Sequence, residues 1–493
     1  MDNNLQEINK LIAIIEATVD DTSTSQKIFS QSLQKLDALK IDSSLNSLEL
    51  ELELEAVSIN FRKLWLNYCT QNTSSHFRSP FYDESIQLVN SKSISYDYER
   101  VSSTKVLDNA LLKHLPSLKQ WDTDCTFFSS GMSAIHIVLS QLFIYIKQED
   151  IDIPHVSVAK GSYFETIALF RFLKRQGGFD ISYSSFEEIL NNLKNNVSNI
   201  IFLEPVLCDL HQTTINFDLL IDACNQRDDT KLLFIVIDTS IVGLSFEISY
   251  ILDKLILKNN IVFIDVSSGL KLYQEGLEFT NVGFSKIYTL KEDFASNQSF
   301  TKDASEIKKQ FGRLRKVYGV GLSLEQFSIL DTQWFLNSKN SRQYMNTLHS
   351  NNHFIAKQIA KQQGIFKDVF HPQLSTSSHF RWAQSPFIIL AFNENDDTQI
   401  NMEFIKKVIL HEAANSKITL YWGTSFGFRH HRFEILELFN EEYLSGKSRH
   451  VIRLCIGHRQ GFSMERTLSI FLKLANFTSF EELNVHYKSK IVQ

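Results

Sequence analysis

The sequence predicts an α/β protein with a large domain built on a mainly parallel sheet, followed by a smaller α+β domain. Between residues 96 and 290, short apolar runs alternate with amphipathic stretches of helical length. A charged segment with a helical pattern over 300–365 separates these runs from a second group over 380–475. The 493-residue chain is 43% hydrophobic and 22% charged, which supplies enough apolar material for large cores.

The N-terminal region is predicted to be helical over the first 60 residues, because apolar residues recur at spacings of three and four. The repeating positions are Leu5, Ile8, Leu11, Ile12 and Ile15. Within this region, residues 44–57 alternate Leu and Glu. The alternation favours a strand, whereas the propensities of both residues favour a helix, so both interpretations stay open. Residues 70–95 are rich in Ser, Asn and Tyr and are expected to form an irregular connector.

Four apolar runs in the middle of the chain are predicted strands, at 151–159, 199–205, 232–240 and 260–268. The stretches between them, such as FEEILNNLKNN and FDLLIDACNQR, have helical patterns. Strands that alternate with helices of this length are typical of βαβ units in a parallel sheet. Ligands of such sheets bind beyond the carboxyl ends of the strands, so polar residues at those ends are the main site candidates.

Further strands are predicted in SPFIILAFN, KITLYWGTS and HVIRLCIGH, and a helix in SMERTLSIFLKLANF. We therefore divide the chain into three parts. Residues 1–95 form a helical N-terminal extension and connector, residues 96–330 a large α/β domain, and residues 331–493 a small α+β domain.

Charge and cysteine content exclude several classes of protein. With 50 Lys and Arg against 56 Asp and Glu, the net charge is -6, which gives no basic excess for binding nucleic acid or an anionic membrane. Five scattered cysteines without a CxxC pair support neither a zinc ribbon nor a disulfide scaffold. No signal peptide is visible, and no apolar run approaches the roughly 18–20 residues of a membrane span. We expect a cytoplasmic protein with no nucleic-acid or membrane partner.

Three features follow apolar runs of the α/β region in order. SSGMSAI (129–135) is a Ser/Gly turn before an apolar helix, which is often a simple cap but also offers backbone N–H groups to a phosphate. Asp238 ends one run and is either a helix cap or a ligand. Lys271 follows another, where a lysine is usually at the surface unless its amine is desolvated and acts as a nucleophile. Together they are the arrangement expected for pyridoxal phosphate.

The chain resembles the fold-type I pyridoxal-phosphate enzymes of cysteine and methionine metabolism, such as cystathionine gamma-synthase, cystathionine gamma-lyase, methionine gamma-lyase and O-acetylhomoserine sulfhydrylase. The resemblance spans roughly residues 96–480 and implies the aspartate aminotransferase-like fold. The motifs, in family order, are YERVSSTKVLDNALLKHL (98–115), SSGMSAI (129–135), KGSYFETIALF (160–170), IVIDTS (235–240), SSGLK (267–271), VFHPQL (369–374), GTSFG (423–427) and VIRLCIG (451–457).

The resemblance implies a role for each matching residue. Lys271 is the expected Schiff-base lysine and proton carrier, Asp238 the partner of the pyridinium nitrogen, and Tyr163 the residue that stacks on the ring. Residues implied in phosphate binding are Gly131 and Met132 through their backbone and Ser268 through its hydroxyl.

Further implied roles concern the substrate and a second subunit. Tyr98 and Arg100 are expected to reach the phosphate of a neighbouring subunit. Arg453 is expected to clamp the substrate carboxylate, assisted by Ser425, although a solvated charge at a strand end is the alternative for Arg453. Glu165, beside the stacking tyrosine, is expected either to bind a cationic or hydroxylated substrate or to face solvent.

Several positions depart from the family pattern. Leu270 replaces the usual phosphate-binding Thr, and LYQEG (272–276) replaces Gly-Gly-His after the lysine. FLEPVLCDL offers Leu207 or Cys208 in place of the Asn that lies against the ring, and an inserted stretch near 246–258 lengthens the interval before Lys271. These changes indicate a divergent member with altered substrate choice or a partly decayed cofactor site.

The resemblance implies a lyase or transferase that catalyses β- or γ-elimination or replacement on an amino acid, such as a cysteine, homocysteine or O-activated homoserine derivative. A homodimer or homotetramer is expected. The alternatives are a non-catalytic protein that keeps the fold for binding or assembly, and another fold-type I reaction such as transamination. The adjacent His430 and His431, and the isolated His379, have poor ligand spacing, so no metal site is expected. Residues 1–90 exceed the family's short arm and are predicted to pack on the dimer or to supply a partner surface.

Overall fold

The structure is a computed structural model, which describes residues 3–18, 23–41, 47–81, 85–88, 93–96, 98–148, 153–177, 179–227, 231–256, 260–294, 304–362, 364–438 and 449–491. None of the helices in these ranges is long and apolar enough to cross a membrane.

The N-terminal extension consists of three helices: α1 (Asn3–Thr18), α2 (Ser23–Ile41) and α3 (Leu48–Ser74). The described part of the Leu/Glu repeat is the beginning of α3, so the helical interpretation is confirmed there. Ser47 caps this helix, since its hydroxyl accepts a hydrogen bond of 3.1 Å from the backbone N–H of Leu50. Glu49 and Glu51 lie in the first turn, where negative charge is favourable. The connector contains a short antiparallel hairpin, β1 (Ser85–Gln87) and β2 (Ser93–Ser95).

A seven-stranded sheet forms the centre of the next region. Its strands are β3 (Trp121–Phe128), β4 (His155–Ala159), β5 (Asp180–Ser184), β6 (Ile200–Leu203), β7 (Leu233–Asp238), β8 (Ile261–Ser268) and β9 (Gly283–Leu290). Their order is β3-β9-β8-β7-β6-β4-β5, and β9 is the strand of this sheet that runs opposite to the other six. The mainly parallel sheet expected from the sequence is therefore confirmed.

Helices cover both faces of this sheet. They are α4 (Lys105–Lys113), α5 (Gly131–Gln148), α6 (Phe164–Arg175), α7 (Phe186–Lys194), α8 (Phe217–Gln226), α9 (Ser249–Leu252), α10 (Ala304–Tyr318) and α11 (Leu324–Leu330). In β7, Leu233 and Ile235 pack into one apolar cluster while Phe234 and Val236 pack into another on the opposite face. Burial on both faces explains why the central strands are continuous apolar runs in the sequence.

The C-terminal region has a second sheet, with β10 (Asp368–Phe370), β11 (Ile388–Ala391), β12 (Tyr421–Trp422), β13 (Arg432–Leu438) and β14 (Arg449–Cys455) in the order β10-β11-β14-β13-β12. Its helices are α12 (Ser338–Ile359), α13 (Gln399–Asn415), α14 (Phe462–Ala475) and α15 (Phe480–Ile491). Most strand pairs are antiparallel, and only β12 and β13 pair in parallel among the described residues. This agrees with the α+β character expected for this region.

The N-terminal helices pack against their own chain. Ile8, Phe61 and Trp65 share one apolar cluster with residues that include Leu272 and Trp334. The Trp65 indole also donates a hydrogen bond of 3.3 Å to a backbone carbonyl of α11. Packing of this extension on a second subunit stays a prediction.

The carboxylate of Glu51 in α3 caps the N-terminus of α14. It accepts hydrogen bonds from the backbone N–H groups of Phe462, at 2.7 Å, and Ser463, at 2.9 Å. Gly461, at the N-cap position, supplies no side chain. We predict that Glu51→Ala lowers the free energy of unfolding by about 1–3 kcal/mol, since it leaves two partly buried backbone donors of the first helical turn without their acceptor. Urea denaturation followed by circular dichroism measures this change.

The matched control is Glu53→Ala. Glu53 is 50% exposed and pairs with the equally exposed Lys35, so its loss is expected to change stability by less than about 1 kcal/mol. Equal effects of the two substitutions would contradict the capping role.

Candidate functional site

The candidate site is built around Lys271, which follows β8 and begins a 3-10 turn over Leu272–Gln274. Its side chain is half-buried, and its Nζ atom lies 4.3 Å from the centroid of the Phe426 ring. Burial lowers the pKa of this amine from 10.5 to about 8, and the guanidinium of Arg453 acts in the same direction. The amine can therefore lose its proton close to neutral pH, as a nucleophile or proton carrier requires.

Asp238 ends β7, the strand next to β8, and is buried. Its Oδ1 atom accepts a hydrogen bond of 2.8 Å from the backbone N–H of Ser240. Burial raises the pKa of this carboxyl to about 6, whereas Ser240 and, more weakly, the charge of Lys271 lower it. The structure thus brings Asp238 within electrostatic range of Lys271, at neighbouring strand ends.

The Ser/Gly turn lies against the end of β8. A Cβ atom on Gly131 would lie 3.0 Å from the Cβ of Ser268, so the absence of a side chain permits this close approach. Ser130 Oγ accepts a hydrogen bond of 3.1 Å from the backbone N–H of Ser133 in the first turn of α5. Met132 is partly buried against the core beneath the helix. Gly131 and Ser268, both implied in phosphate binding, are therefore neighbours at the N-terminus of an 18-residue helix.

Tyr163 lies at the N-cap position of α6 and is half-buried. Its backbone N–H donates a hydrogen bond of 2.7 Å to Glu204. Burial raises the pKa of its phenol, and the neighbouring Glu165 raises it further through its negative charge and through a hydrogen bond. Glu165 is exposed and contacts Tyr163, so both sides of the expected substrate-or-solvent alternative remain compatible with its position.

Glu204 was missed by the sequence reasoning. It directly follows β6, the strand on the other side of β7, and is buried. Burial raises its pKa well above the ordinary value, and the charge of Asp238 adds to the effect. The signal that selected Asp238, a carboxylate directly after an apolar run, also marks Glu204. Next to it, burial raises the pKa of the Cys208 thiol, which lies within electrostatic range of Arg453.

Arg453 lies in β14 directly opposite Glu434 in β13, and the two side chains form an ion pair. Its guanidinium lies 5.5 Å from the centroid of the Phe387 ring and 5.9 Å from that of Phe426. The alternative of a solvated charge at a strand end is therefore wrong, because Arg453 is partly buried within β14 and paired within the chain. Glu434 had no signal in the sequence, since the cross-strand register alone reveals the pair.

Two polar atoms beside this pair lack a hydrogen-bond partner among the described residues. They are the buried Nε of Arg453 and the buried Oγ of Ser425. Ser425 also has φ +80°, a left-handed conformation that is unusual for a residue with a side chain. Buried polar atoms without partners and strained backbone both concentrate at ligand sites.

Tyr98 and Arg100 lie at the surface on either side of Glu99, and the Arg100 guanidinium lies 5.2 Å from the centroid of the Tyr98 ring. Their expected contact with a second subunit stays a prediction. His430 and His431 are ordinary structural residues whose pKa values burial lowers to about 3. Within the described ranges, no group of three or more His, Cys, Asp or Glu residues is arranged to hold a metal ion.

Comparison of the structure with solved structures gives the fold. Cystathionine gamma-synthase from Xanthomonas oryzae pv. oryzae, in complex with cystathionine, matches with a TM-score of 0.55 and 14% identity, over 84% of this chain and 98% of that chain. Cystathionine gamma-lyase from Lactobacillus plantarum, complexed with L-serine, also matches with a TM-score of 0.55 and 14% identity, over 82% and 92%. A cystathionine gamma-lyase from Micromonospora echinospora matches with a TM-score of 0.52 and 15% identity, over 81% and 92%.

The chain has the fold of the cystathionine gamma-synthases and gamma-lyases. The predicted fold-type I class is therefore confirmed. No protein-family model and no curated protein sequence matches the chain. In this cystathionine gamma-synthase fold, the helices before the hairpin are part of the chain's own packed core.

Asp238 should destabilise the protein without ligand. The pKa of its carboxyl in the folded protein is about 6, above the ordinary value of 3.8. Folding therefore disfavours the ionised carboxylate, and the cost in stability is fully present above about pH 6. We predict that Asp238→Asn raises the free energy of unfolding by about 1–3 kcal/mol at pH 7. The gain should fade as the pH falls from about 6 through 3.8. Thermal denaturation of the protein without added ligand, at several pH values, measures this difference.

The exposed Asp253 supplies the control, because Asp253→Asn should leave stability nearly unchanged. If the Asp238→Asn protein without added ligand is less stable than the parent at pH 7, burial does not destabilise the Asp238 carboxylate in this way.

Proposed function

We propose that the chain is a pyridoxal-phosphate-dependent enzyme that eliminates or replaces a group at Cβ or Cγ of an amino acid. The observation that carries the proposal is the half-buried Lys271, with a pKa near 8, within electrostatic range of the buried Asp238. The fold of the cystathionine gamma-synthases supports the same conclusion.

The residues present fit pyridoxal phosphate. The Lys271 amine has the lowered pKa that covalent attachment to an aldehyde needs. The turn at Gly131, pressed against Ser268, leaves backbone N–H groups at a helix N-terminus for the phosphate. The unpartnered Ser425 Oγ and Arg453 Nε supply donors for a carboxylate. Leu270 stands where the resemblance implies a phosphate-binding Thr, while Ser268 and the serines of the turn still offer hydroxyl groups.

The proposed chemistry divides between the bound group and the side chains. Pyridoxal phosphate supplies an electron sink for negative charge at Cα. Asp238, with its pKa of about 6, is ionised at pH 7 and would keep the ring nitrogen protonated. The Nζ atom of Lys271, with its pKa of about 8, would take the Cα proton and return it at a neighbouring carbon. Tyr163 would lie on the ring, and Phe387 and Phe426 would keep water from the Arg453 side.

Arg453 is proposed to bind the substrate carboxylate although it already pairs with Glu434. A guanidinium has five donors in a planar fork, so its buried Nε edge can still serve a second carboxylate. Glu434 would then hold the guanidinium in place and reduce its net positive charge. The substrates proposed are cysteine, homocysteine and O-activated homoserine derivatives. A homodimer or homotetramer in the cytoplasm, with Tyr98 and Arg100 reaching a neighbouring phosphate, completes the proposal.

A non-catalytic protein that keeps the fold is the second candidate. The departures at Leu270 and over residues 272–276 favour it, because they alter the backbone and the donors around the lysine. Incubation with a panel of sulfur-containing and O-activated amino acids separates the functions. Elimination releases keto acid and ammonia, transamination converts the cofactor to its pyridoxamine form, and a non-catalytic protein does neither.

Borohydride reduction tests cofactor attachment directly. We predict that the protein, mixed with pyridoxal phosphate and reduced, carries one stable label on the peptide that contains Lys271. Lys271→Ala should lose this label, because it removes the amine that follows β8 within electrostatic range of Asp238. Peptide mapping by mass spectrometry identifies the labelled residue.

Lys309→Ala, which removes an exposed lysine of α10, is the control and should label like the parent. Labelling spread over surface lysines, with no preference for Lys271, would overturn the proposed function.

A further inference from the structure

The segment after Lys271 folds into a tight and unusual loop. Leu272–Gln274 form a 3-10 turn, and the backbone N–H of Gly276 donates a hydrogen bond of 2.9 Å to the carbonyl of Lys271. Glu275 has φ +50°, a left-handed conformation, although it carries a side chain. That side chain is completely buried. A strained residue with a buried charge persists only where its surroundings hold it.

Helix α1 supplies the group that holds this loop. The Nζ atom of Lys10 lies 2.9 Å from Oε2 of Glu275, and the two side chains are only 15% and 0% exposed. The same amine lies 5.0 Å from the centroid of the Tyr344 ring. Tyr344 in turn fills the space beside Gly276, where a Cβ atom would lie 2.1 Å from its hydroxyl. The loop is therefore fixed by a buried ion pair with the N-terminal extension.

Glu7, one turn before Lys10 in α1, holds a second segment beside the lysine. Its carboxylate forms an ion pair with Arg429, and its Oε2 atom lies 3.1 Å from Nδ1 of His458. Arg429 Nη1 also donates a hydrogen bond of 3.4 Å to the backbone carbonyl of Glu275, so the two ion pairs are joined.

Arg429 is the last residue of a loop, residues 426–429, that contacts Lys271 directly. This loop begins with Phe426, whose ring contacts the Lys271 amine at 4.3 Å. At Gly427, a Cβ atom would lie 3.2 Å from the Cβ of Lys271. The hydroxyl of Tyr344 donates a hydrogen bond of 2.9 Å to the carbonyl of Gly427. Both backbone segments that border Lys271 are thus tied to α1.

We propose that α1 is the positioning element of the site: Glu7 and Lys10 hold the loops on either side of Lys271 and so fix the direction of its amine. The proposal rests on the proposed function for the chemistry of Lys271, but not for the effect of α1 on the two loops. Lys10, Glu275, Glu7 and Arg429 are positioning residues that act through the backbone around the lysine. The LYQEG segment is stable in this form because α1 covers it.

Hydrogen exchange of the protein without pyridoxal phosphate tests whether α1 holds the two loops beside Lys271. Lys10→Met keeps an unbranched apolar side chain of nearly the same length but removes the charge. It should raise exchange at least tenfold in peptides that cover residues 271–278 and 426–430, while the sheet strands stay protected. Glu275→Gln should act in the same direction, and the double variant should exceed neither by much, because both remove one interaction. Lys10→Arg should restore most of the protection.

Borohydride labelling of the same variants tests the effect on Lys271. The rate of label incorporation at Lys271 from pyridoxal phosphate should fall at least tenfold in Lys10→Met. Lys35→Met, which removes an exposed pair in the same extension, should behave like the parent in both measurements. If Lys10→Met fails to fold, as judged by circular dichroism, both measurements are made on Glu275→Gln, which removes the same ion pair.

The outcomes are distinct for the two proposals. Unchanged exchange in both loops, or faster exchange confined to α1, would overturn the positioning role. Faster exchange of the loops with an unchanged labelling rate at Lys271 would overturn it as well, because α1 would then only stabilise the fold. A parent protein that is never labelled at Lys271 would overturn the proposed function, and the exchange measurement would still decide the role of α1.

Discussion

Partial removal of the Lys271 amine from water is the constraint on which the rest of the site depends. A lysine at the end of β8 would have an ordinary pKa if its side chain reached solvent. Here it lies over the Phe426 ring, within electrostatic range of Arg453 and Asp238, and burial brings its pKa to about 8. The surrounding structure must supply the free energy that this placement requires. The packed sheet on one side and the loops tied to α1 on the other are the parts that do so.

The carboxylates at the strand ends follow the same principle. Asp238 and Glu204 are buried close to one another after neighbouring strands, and burial raises the pKa of both. Such groups reduce the stability of the ligand-free protein, and residues of this kind cluster at functional sites. Burial of the large apolar clusters on both faces of the sheet offsets this loss of stability. The buried carboxylates therefore lower the stability of the fold, and the apolar clusters of the sheet raise it.

The fold was largely predictable because the central strands are buried on both faces. Such strands consist of continuous apolar runs, which are visible in the sequence. The positions of Asp238, Lys271 and the Gly131 turn were predictable for a related reason, since parallel strands end at one edge. The groups that the sequence did not reveal depend on pairing between distant segments. Glu434 faces Arg453 through strand register, and Glu275 meets Lys10 across most of the chain. The Leu/Glu repeat was ambiguous because only the Ser47 cap and tertiary packing select the helix.

The pH dependence of chemical modification tests the state of the Lys271 amine most directly. The cofactor-free protein would be treated briefly with a small amine-reactive reagent between roughly pH 6 and pH 11, and the modified lysines quantified by mass spectrometry. The account predicts a midpoint near pH 8 for Lys271, below the ordinary lysine value of 10.5. A midpoint near 10.5 for Lys271 would show that its amine lies in bulk water and would contradict the account.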